Sequence, residues 1–215
     1  MANKPLSADD WAVACRHLAR KDRVLRRLIP EQAGDIPLFA QMSDPFVLLV
    51  RSVVWQQLSP ASALSLWRRY CALPGAHTPH GVLALTDESL RSIRLPQRKM
   101  GYLRDLAALF ANDIWAGQSW HSMSDAEVLD QLGKVRGVGR WNAEMFLIFH
   151  LARPDVLPID DAALQAGISA HYFSGDPVSR SDIREVAQAW KPWSSVGAWW
   201  IWQSCNAMPM AMHMD

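Results

Sequence analysis

Gly133-Lys-Val-Arg-Gly-Val-Gly-Arg-Trp-Asn-Ala143, with Arg153-Pro-Asp-Val-Leu-Pro-Ile-Asp-Asp161 downstream, decides how this 215-residue chain folds. Just ahead of it, Ser124 and Glu127 form the S-x-x-E pattern of a helix start, a capping hydroxyl answered by a carboxylate. Leu129, Leu132 and Val135 give that helix a short apolar face. Gly137 and Gly139 then permit backbone angles closed to other residues and a close approach of main chain to a ligand. A second helix is expected from Trp141, with Ala143, Phe146, Leu147 and His150 at helical spacing. The N–H groups at its head favour a phosphate. Lys134, Arg136 and Arg140 surround the turn, with no acid between Lys134 and Ala143. The pattern is helix, tight turn, helix, with the chemistry of a DNA grip.

Upstream, Ser43-Asp44-Pro45 predicts another helix start, an acid at the N-cap and proline at the first helical position. The helix is apolar on nearly every side until Gln56-Gln57, and buried amides need partners or a cavity to face. Ser59-Pro60 restarts a helix through Ala61, Leu64, Trp67 and Tyr70. Arg91, Arg94, Arg98, Lys99 and Arg104 form the densest basic segment, either a solvated helix face or a set of phosphate contacts. Trp115, Ala116-Gly-Gln-Ser and Trp120 read as a connector into the hairpin.

At the N-terminus Ser7-Ala-Asp-Asp10 caps a first helix, and the basic run Arg16 to Arg27 reads as its solvated face, stopped by Ile29-Pro30. Pro37 falls in a loop. Ala162 to His171 makes a helix after the second loop. Ser179 and Asp182 cap another with Ile183, Val186, Ala187 and Trp190 on one stripe, and Ser194-Ser195 opens the last. The tail from Met208 to Asp215 is expected to fray. No stretch sustains period-two alternation, so the expected fold class is all-α.

Composition sets outer bounds. Half the residues are apolar, a fifth are charged and the net charge is +1, so DNA affinity must come from local clustering. No apolar run reaches membrane-span length, and the N-terminus lacks a signal-peptide core. Cys15, Cys71 and Cys205 are odd in number and far apart, which suggests neither a disulfide framework nor a metal site. An intracellular location is expected, cytoplasmic or with the nucleoid if the source is bacterial.

Val135-x-Gly-Val-Gly-x-Trp141 followed by Pro158-Ile-Asp160 resembles the helix-hairpin-helix superfamily of DNA glycosylases, and within it the 3-methyladenine DNA glycosylase II branch of alkylation repair. The resemblance covers about Ser43 to Gln203. The cysteine pattern separates the chain from members that carry an iron–sulfur cluster.

The resemblance implies a two-lobed all-α fold with the active cleft between the lobes. Within one unit of residues 1–215, about 43–120 would form the helical lobe with pocket and wedge. About 121–171 would hold the hairpin and catalytic loop, and 1–42 with 172–215 would complete the other lobe. Too little chain precedes Ser43 for the additional N-terminal domain that related enzymes often carry.

In function, the resemblance implies a monofunctional enzyme that releases alkylated purines from duplex DNA and leaves an abasic site. Asp160 is the expected catalytic carboxylate, with Asp161 as runner-up because a one-residue shift of the loop would exchange them. Either would lie at a helix start, where a negative charge is favoured. Trp202, Trp141 and Gln56 are expected to line the base pocket, and Gln57 to act as the wedge. Val135, Gly137, Gly139, Arg140, Ser59 and Lys99 are expected to contact DNA. Trp55 replaces a glycine usual at that turn. Trp141 also stands where strand-cutting members carry a Schiff-base lysine, so no lyase activity is expected.

No metal or organic cofactor is expected for the chemistry, although hairpin carbonyls offer a place for a monovalent cation. The expected partner is double-stranded DNA with a damaged base, bound by a monomer. The alternatives are a same-fold enzyme for uracil, hypoxanthine or oxidised bases, and a non-catalytic helix-hairpin-helix DNA-binding protein.

Overall fold

A computed structural model describes residues 4–31, 44–112, 115 and 119–207. The Pro37 loop, Ser43, residues 116–118 of the connector and the tail 208–215 lie outside the described residues. Among the described residues all regular structure is helical: α1 (Ala8–Lys21), α2 (Arg23–Leu28), α3 (Pro45–Trp55), α4 (Pro60–Cys71), α5 (Pro79–Ala84), α6 (Asp87–Ser92), α7 (Gln97–Ala111), α8 (Asp125–Gly133), α9 (Arg140–Phe149), α10 (Ala162–Tyr172), α11 (Arg180–Gln188) and α12 (Ser194–Ser204). A 3-10 turn, Trp120–Ser122, precedes α8. None of these helices is long and apolar enough to cross a membrane. The chain divides into two compact units, residues 42–146 and residues 1–41 with 147–215. The division falls inside α9, so the hairpin turn belongs to one unit and the Asp160–Asp161 loop to the other.

In the unit of residues 42–146, Asp44 accepts the N–H groups of Phe46 and Val47 and starts α3 as its sequence suggests. α3 is buried on almost every side, Arg51 included, whose guanidinium lies 5.4 Å from the ring centres of both Trp55 and Trp67. Trp55 is therefore a core residue, a stacking partner for a buried cation. Phe46, Phe110, Trp115, Trp120 and Phe146 form a continuous edge-to-face series with successive centroid distances of 5.3, 5.6, 5.2 and 5.2 Å. The connector tryptophans 115 and 120 are thus part of the core. Ser124 and Glu127 make the expected capping box of α8, but the buried positions are Val128 and Leu132, with Leu129 only half-buried.

The turn between α8 and α9 is set by α7. Gly137 has φ +87°, and a β-carbon there would stand 2.2 Å from Cγ of Tyr102. Its backbone angle and the closeness of the tyrosine ring both demand glycine. At Gly139 an added β-carbon would meet only Asn142 Oδ1, at an ordinary 3.7 Å. Of the two glycines expected to be needed for the turn, only Gly137 is required by this geometry.

In the unit of residues 1–41 and 147–215, the basic run Arg16–Arg27 is not one helix face. It breaks at Asp22, whose Oδ1 accepts the N–H groups of Val24 and Leu25 and so caps α2. Asp22 Oδ2 accepts the Tyr172 hydroxyl at 2.7 Å and the Trp190 indole N–H at 3.0 Å, tying α2 to α10 and to the end of α11. Burial, followed by this hydrogen bond, pushes the Tyr172 hydroxyl well above the ordinary tyrosine range. Trp11 of α1 meets Trp199 and Trp200 of α12 at 6.3 and 5.9 Å between centroids. Ile183, Ala187 and Trp190 are buried along the predicted stripe, with Val186 half-exposed beside them.

Three substitutions test this packing in urea unfolding experiments. Asp22→Ala removes a cap and strands two buried donors, and is expected to lower the unfolding free energy by about 3 kcal/mol. Gly137→Ala is expected to cost about 2 kcal/mol or more. Gly133→Ala, where no atom lies within 4 Å of the added carbon, should change stability little.

Candidate functional site

The loop from Arg153 to Asp161 is held at both ends by helices of its own unit. Ser195 Oγ donates to Arg153 O at 2.7 Å and accepts the Val156 N–H at 3.0 Å. The Ser194 N–H and hydroxyl both donate to Asp155, and the Ser195 N–H donates to Pro154 O. Gln165 of α10 reaches back to Ile159 O. The two serines at the head of α12 thus fix a loop 39–42 residues upstream. Sequence reading found them only as a helix start.

The two candidate carboxylates end in different places. Asp160 is exposed, and its Oδ1 accepts Nε of Arg180 at 2.7 Å. Asp161 is the N-cap of α10 and only 6% exposed. Its Oδ1 accepts the Leu164 N–H at 2.7 Å and the Trp202 indole N–H at 2.9 Å. The tryptophan chosen from sequence therefore meets Asp161 and not Asp160. Trp202 is wholly buried, its ring stacked on Phe149 at 6.0 Å and 30°. It orients a carboxylate here, where an open aromatic wall of a base pocket was expected.

In the other unit, α3 ends in the expected glutamine pair. Gln56 Nε2 donates to Gly137 O at 2.7 Å and to Asn142 Oδ1 at 2.6 Å. Asn142 in turn accepts the Gly139 N–H at 3.0 Å and donates to Ser52 Oγ at 2.8 Å. Gln56 is therefore a structural strut between α3 and the hairpin turn, half-buried, with its donor nitrogen engaged. Gln57 is exposed, in the left-handed region at φ +59°, and its Oε1 accepts from Arg98 at 3.0 Å.

The expected DNA contacts divide in the same way. Lys99 is only 5% exposed, and its Nζ donates to Val54 O at 2.8 Å and Gln56 O at 2.7 Å. Burial, then the nearby Arg98 charge, push its ammonium down to about 8. A phosphate contact from Lys99 does not fit that geometry, because its donors point into the end of α3. The Val135 side chain is buried, and its N–H and carbonyl are both used within the turn, with Leu132 and Val138. Ser59 is exposed and caps α4.

The cations around the turn all have acidic partners. Lys134 pairs with Asp130 at 2.7 Å, Arg136 with Asp105 at 2.7 Å and Arg140 with Glu144 at 2.8 Å. All three basic side chains are more than half exposed; the acids of Lys134 and Arg136 are exposed too, so those two pairs are weak and give way readily to a phosphate, whereas Arg140 covers the buried Glu144. Arg98 and Arg136 flank the Tyr102 ring at 5.9 and 5.7 Å. Half-buried Trp141 stands at the second position of α9.

Asn142, Tyr102 and Asp105 organise the hairpin and were not singled out from sequence. Asn142 had a signal, a short amide side chain three residues after Gly139 and able to reach back to its N–H. Tyr102 lies in a Lys-x-x-Tyr-Leu pattern that resembles the family's, but its role and that of Asp105 depend on where α7 lies.

The HhH-GPD family, described as a superfamily of base excision DNA repair proteins, matches residues 50–193. The alkylbase DNA glycosidase-like protein mag2 of Schizosaccharomyces pombe is 25% identical over 200 residues, covering 90% of this chain and 93% of mag2. A crystal structure of DNA-3-methyladenine glycosidase from Bacillus halodurans has a TM-score of 0.72 at 29% identity, covering 90% of this chain and 89% of that one. The S. pombe 3-methyladenine DNA glycosylase Mag1, in complex with abasic DNA, shares the fold with a TM-score of 0.78 at 23% identity, covering 94% and 100% of the two chains. With two thirds of its length matched and its hairpin and helices in place, the chain belongs to the HhH-GPD superfamily of base excision DNA repair proteins.

Proposed function

We propose that the chain is a monofunctional DNA glycosylase that removes alkylated purines, of the 3-methyladenine and 7-methylguanine type, from duplex DNA. The observation that carries the reading is the Asp161 carboxylate, buried at the N-cap of α10 and held by the Trp202 indole, in a member of a base-excision family. Relatives named for alkylbase and 3-methyladenine excision support the substrate class.

The chemistry follows from the substrate. An N-alkylated purine is already cationic, so it leaves with the C1′–N bonding electrons as a neutral base and needs little protonation. Positive charge then develops on the deoxyribose. A fixed carboxylate stabilises that oxocarbenium ion, and water adds to C1′ and gives up a proton, leaving an abasic site. Asp161 suits this task better than Asp160, because it is desolvated and fixed by two donors, whereas Asp160 is exposed and paired with Arg180. The grip on DNA is assigned to the hairpin. The N–H groups of Gly137 and Arg140 donate to no acceptor among the described residues, and the exposed Arg136 and Arg140 stand beside them. Gln57 is the side chain that enters the duplex when the base is extruded, and Trp141 is the aromatic wall for a cationic base. A monovalent cation on the hairpin carbonyls would assist the grip; Gly137 O, already bound by Gln56, is not one of its ligands.

Single-turnover base release from duplexes carrying 3-methyladenine or 7-methylguanine tests the assignment. Asp161→Asn is expected to lose about a hundredfold or more, and Asp160→Asn about threefold or less. The reverse order would transfer the role to Asp160, and a wild type that binds but releases nothing would leave a DNA-binding protein only. Borohydride added during turnover should trap no protein–DNA adduct, because Trp141 cannot form an imine.

A further inference from the structure

The end of α3 carries a further arrangement, separate from the carboxylate and the hairpin N–H groups. A helix C-terminus leaves carbonyls without intrahelical partners, and in this unit two carbonyls at the end of α3 are met by one ammonium from α7. Lys99 Nζ bridges Val54 O and Gln56 O, the second of which belongs to the peptide unit leading into Gln57. Gln57 is a non-glycine residue at φ +59°, a conformation that persists where its surroundings over-determine it. The surroundings here come from three directions. The amide of Gln56 is held by Gly137 and Asn142, the carboxamide of Gln57 is held by Arg98, and the backbone between them is held by Lys99. Only the Arg98 contact is solvent-exposed and free to exchange for a phosphate. Lys99 itself is buried, its bond to Val54 O buried and its bond to Gln56 O half-buried.

We propose that Lys99 is a positioning residue for base extrusion, a buried clamp on the end of α3 that keeps the Gln56–Gln57 turn preformed with Gln57 directed outward. The proposal rests on the reading of Gln57 as the inserted side chain. An inserted residue acts by filling the space an extruded base leaves, so it must not relax when the stack pushes back. A turn held only by its own backbone would yield the left-handed angle first. A lysine buried against both carbonyls resists this, and its effect is specific to substrates whose stack must be opened.

The test compares Lys99→Met with wild type on a 3-methyladenine duplex and on the same lesion placed opposite an abasic site, where little stacking and no pairing must be broken. Base release from the paired duplex is expected to fall about tenfold or more, and release from the unpaired site to stay within about twofold. Lys99→Met added to Gln57→Ala should cause no further loss on the paired duplex. An equal fall on both substrates, or full additivity with Gln57→Ala, would overturn the clamp and leave a purely structural lysine. Lys99→Gln, which retains a donor, carries the same comparison if thermal melting shows that Lys99→Met does not fold. Inactivity of wild type on both substrates counts against the glycosylase reading instead. In that case, fluorescence of 2-aminopurine beside the lesion reports extrusion directly. An unchanged rise in Lys99→Met would overturn the clamp, and a lost rise with DNA binding retained would support it.

Discussion

The ring of Tyr102 occupies the space where any residue other than glycine at position 137 would carry its β-carbon. From that contact the rest of the hairpin follows. The left-handed turn at Gly137 presents its carbonyl to Gln56, and the same turn brings Asn142 within reach of both Gln56 and Ser52. α3, α7 and the hairpin are therefore joined through one small polar network set in an aromatic core. Buried polar networks of this kind are costly when half-made and specific when complete. Here each amide in the network has a named partner, which fixes one register for the hairpin against α3.

Much of this was legible in the sequence, and the legible parts share a physical character. Caps are local: Ser7, Asp44, Ser59, Ser124 and Ser179 each hydrogen-bond within three residues, so their spacing alone announced α1, α3, α4, α8 and α11. Periodicity is local too, and α11 carries its buried stripe nearly as drawn. What stayed hidden depends on side chains distant in sequence. Nothing near Asp22 says that a tyrosine and a tryptophan will donate to it, and nothing near Arg136 says that Asp105 will neutralise it. Lys99 shows the limit most clearly. A lysine in a basic run suggests solvent or phosphate, yet two helix-end carbonyls draw it inward.

The adjacent aspartates make the same point. Two identical side chains, adjacent in the chain, differ in exposure and in hydrogen-bond partners. One faces solvent and an arginine; the other caps a helix beneath an indole. Motif spacing alone could not separate them, because the difference arises where the chain enters α10. Once the N-cap is located, the direction of each carboxyl group follows from backbone geometry. Trp202 then adds a donor to only one of them.

The division of the chain has a consequence for its synthesis. Residues 42–146 are one continuous run, whereas the other unit draws on residues 1–41 and 147–215. α1 and α2 leave the ribosome before residues 42–146, yet Asp22 meets partners 150 and 168 residues later, and Trp11 meets α12. At ~5–20 residues per second, chain elongation from Phe146 to Trp202 takes roughly 3–11 s, during which the inserted unit already has its whole sequence. α1 and α2 are thus translated before the inserted unit and complete their packing after it. For that interval the apolar face of α1, with Trp11, Ala14, Cys15 and Leu18, lacks its α12 cover and needs shielding.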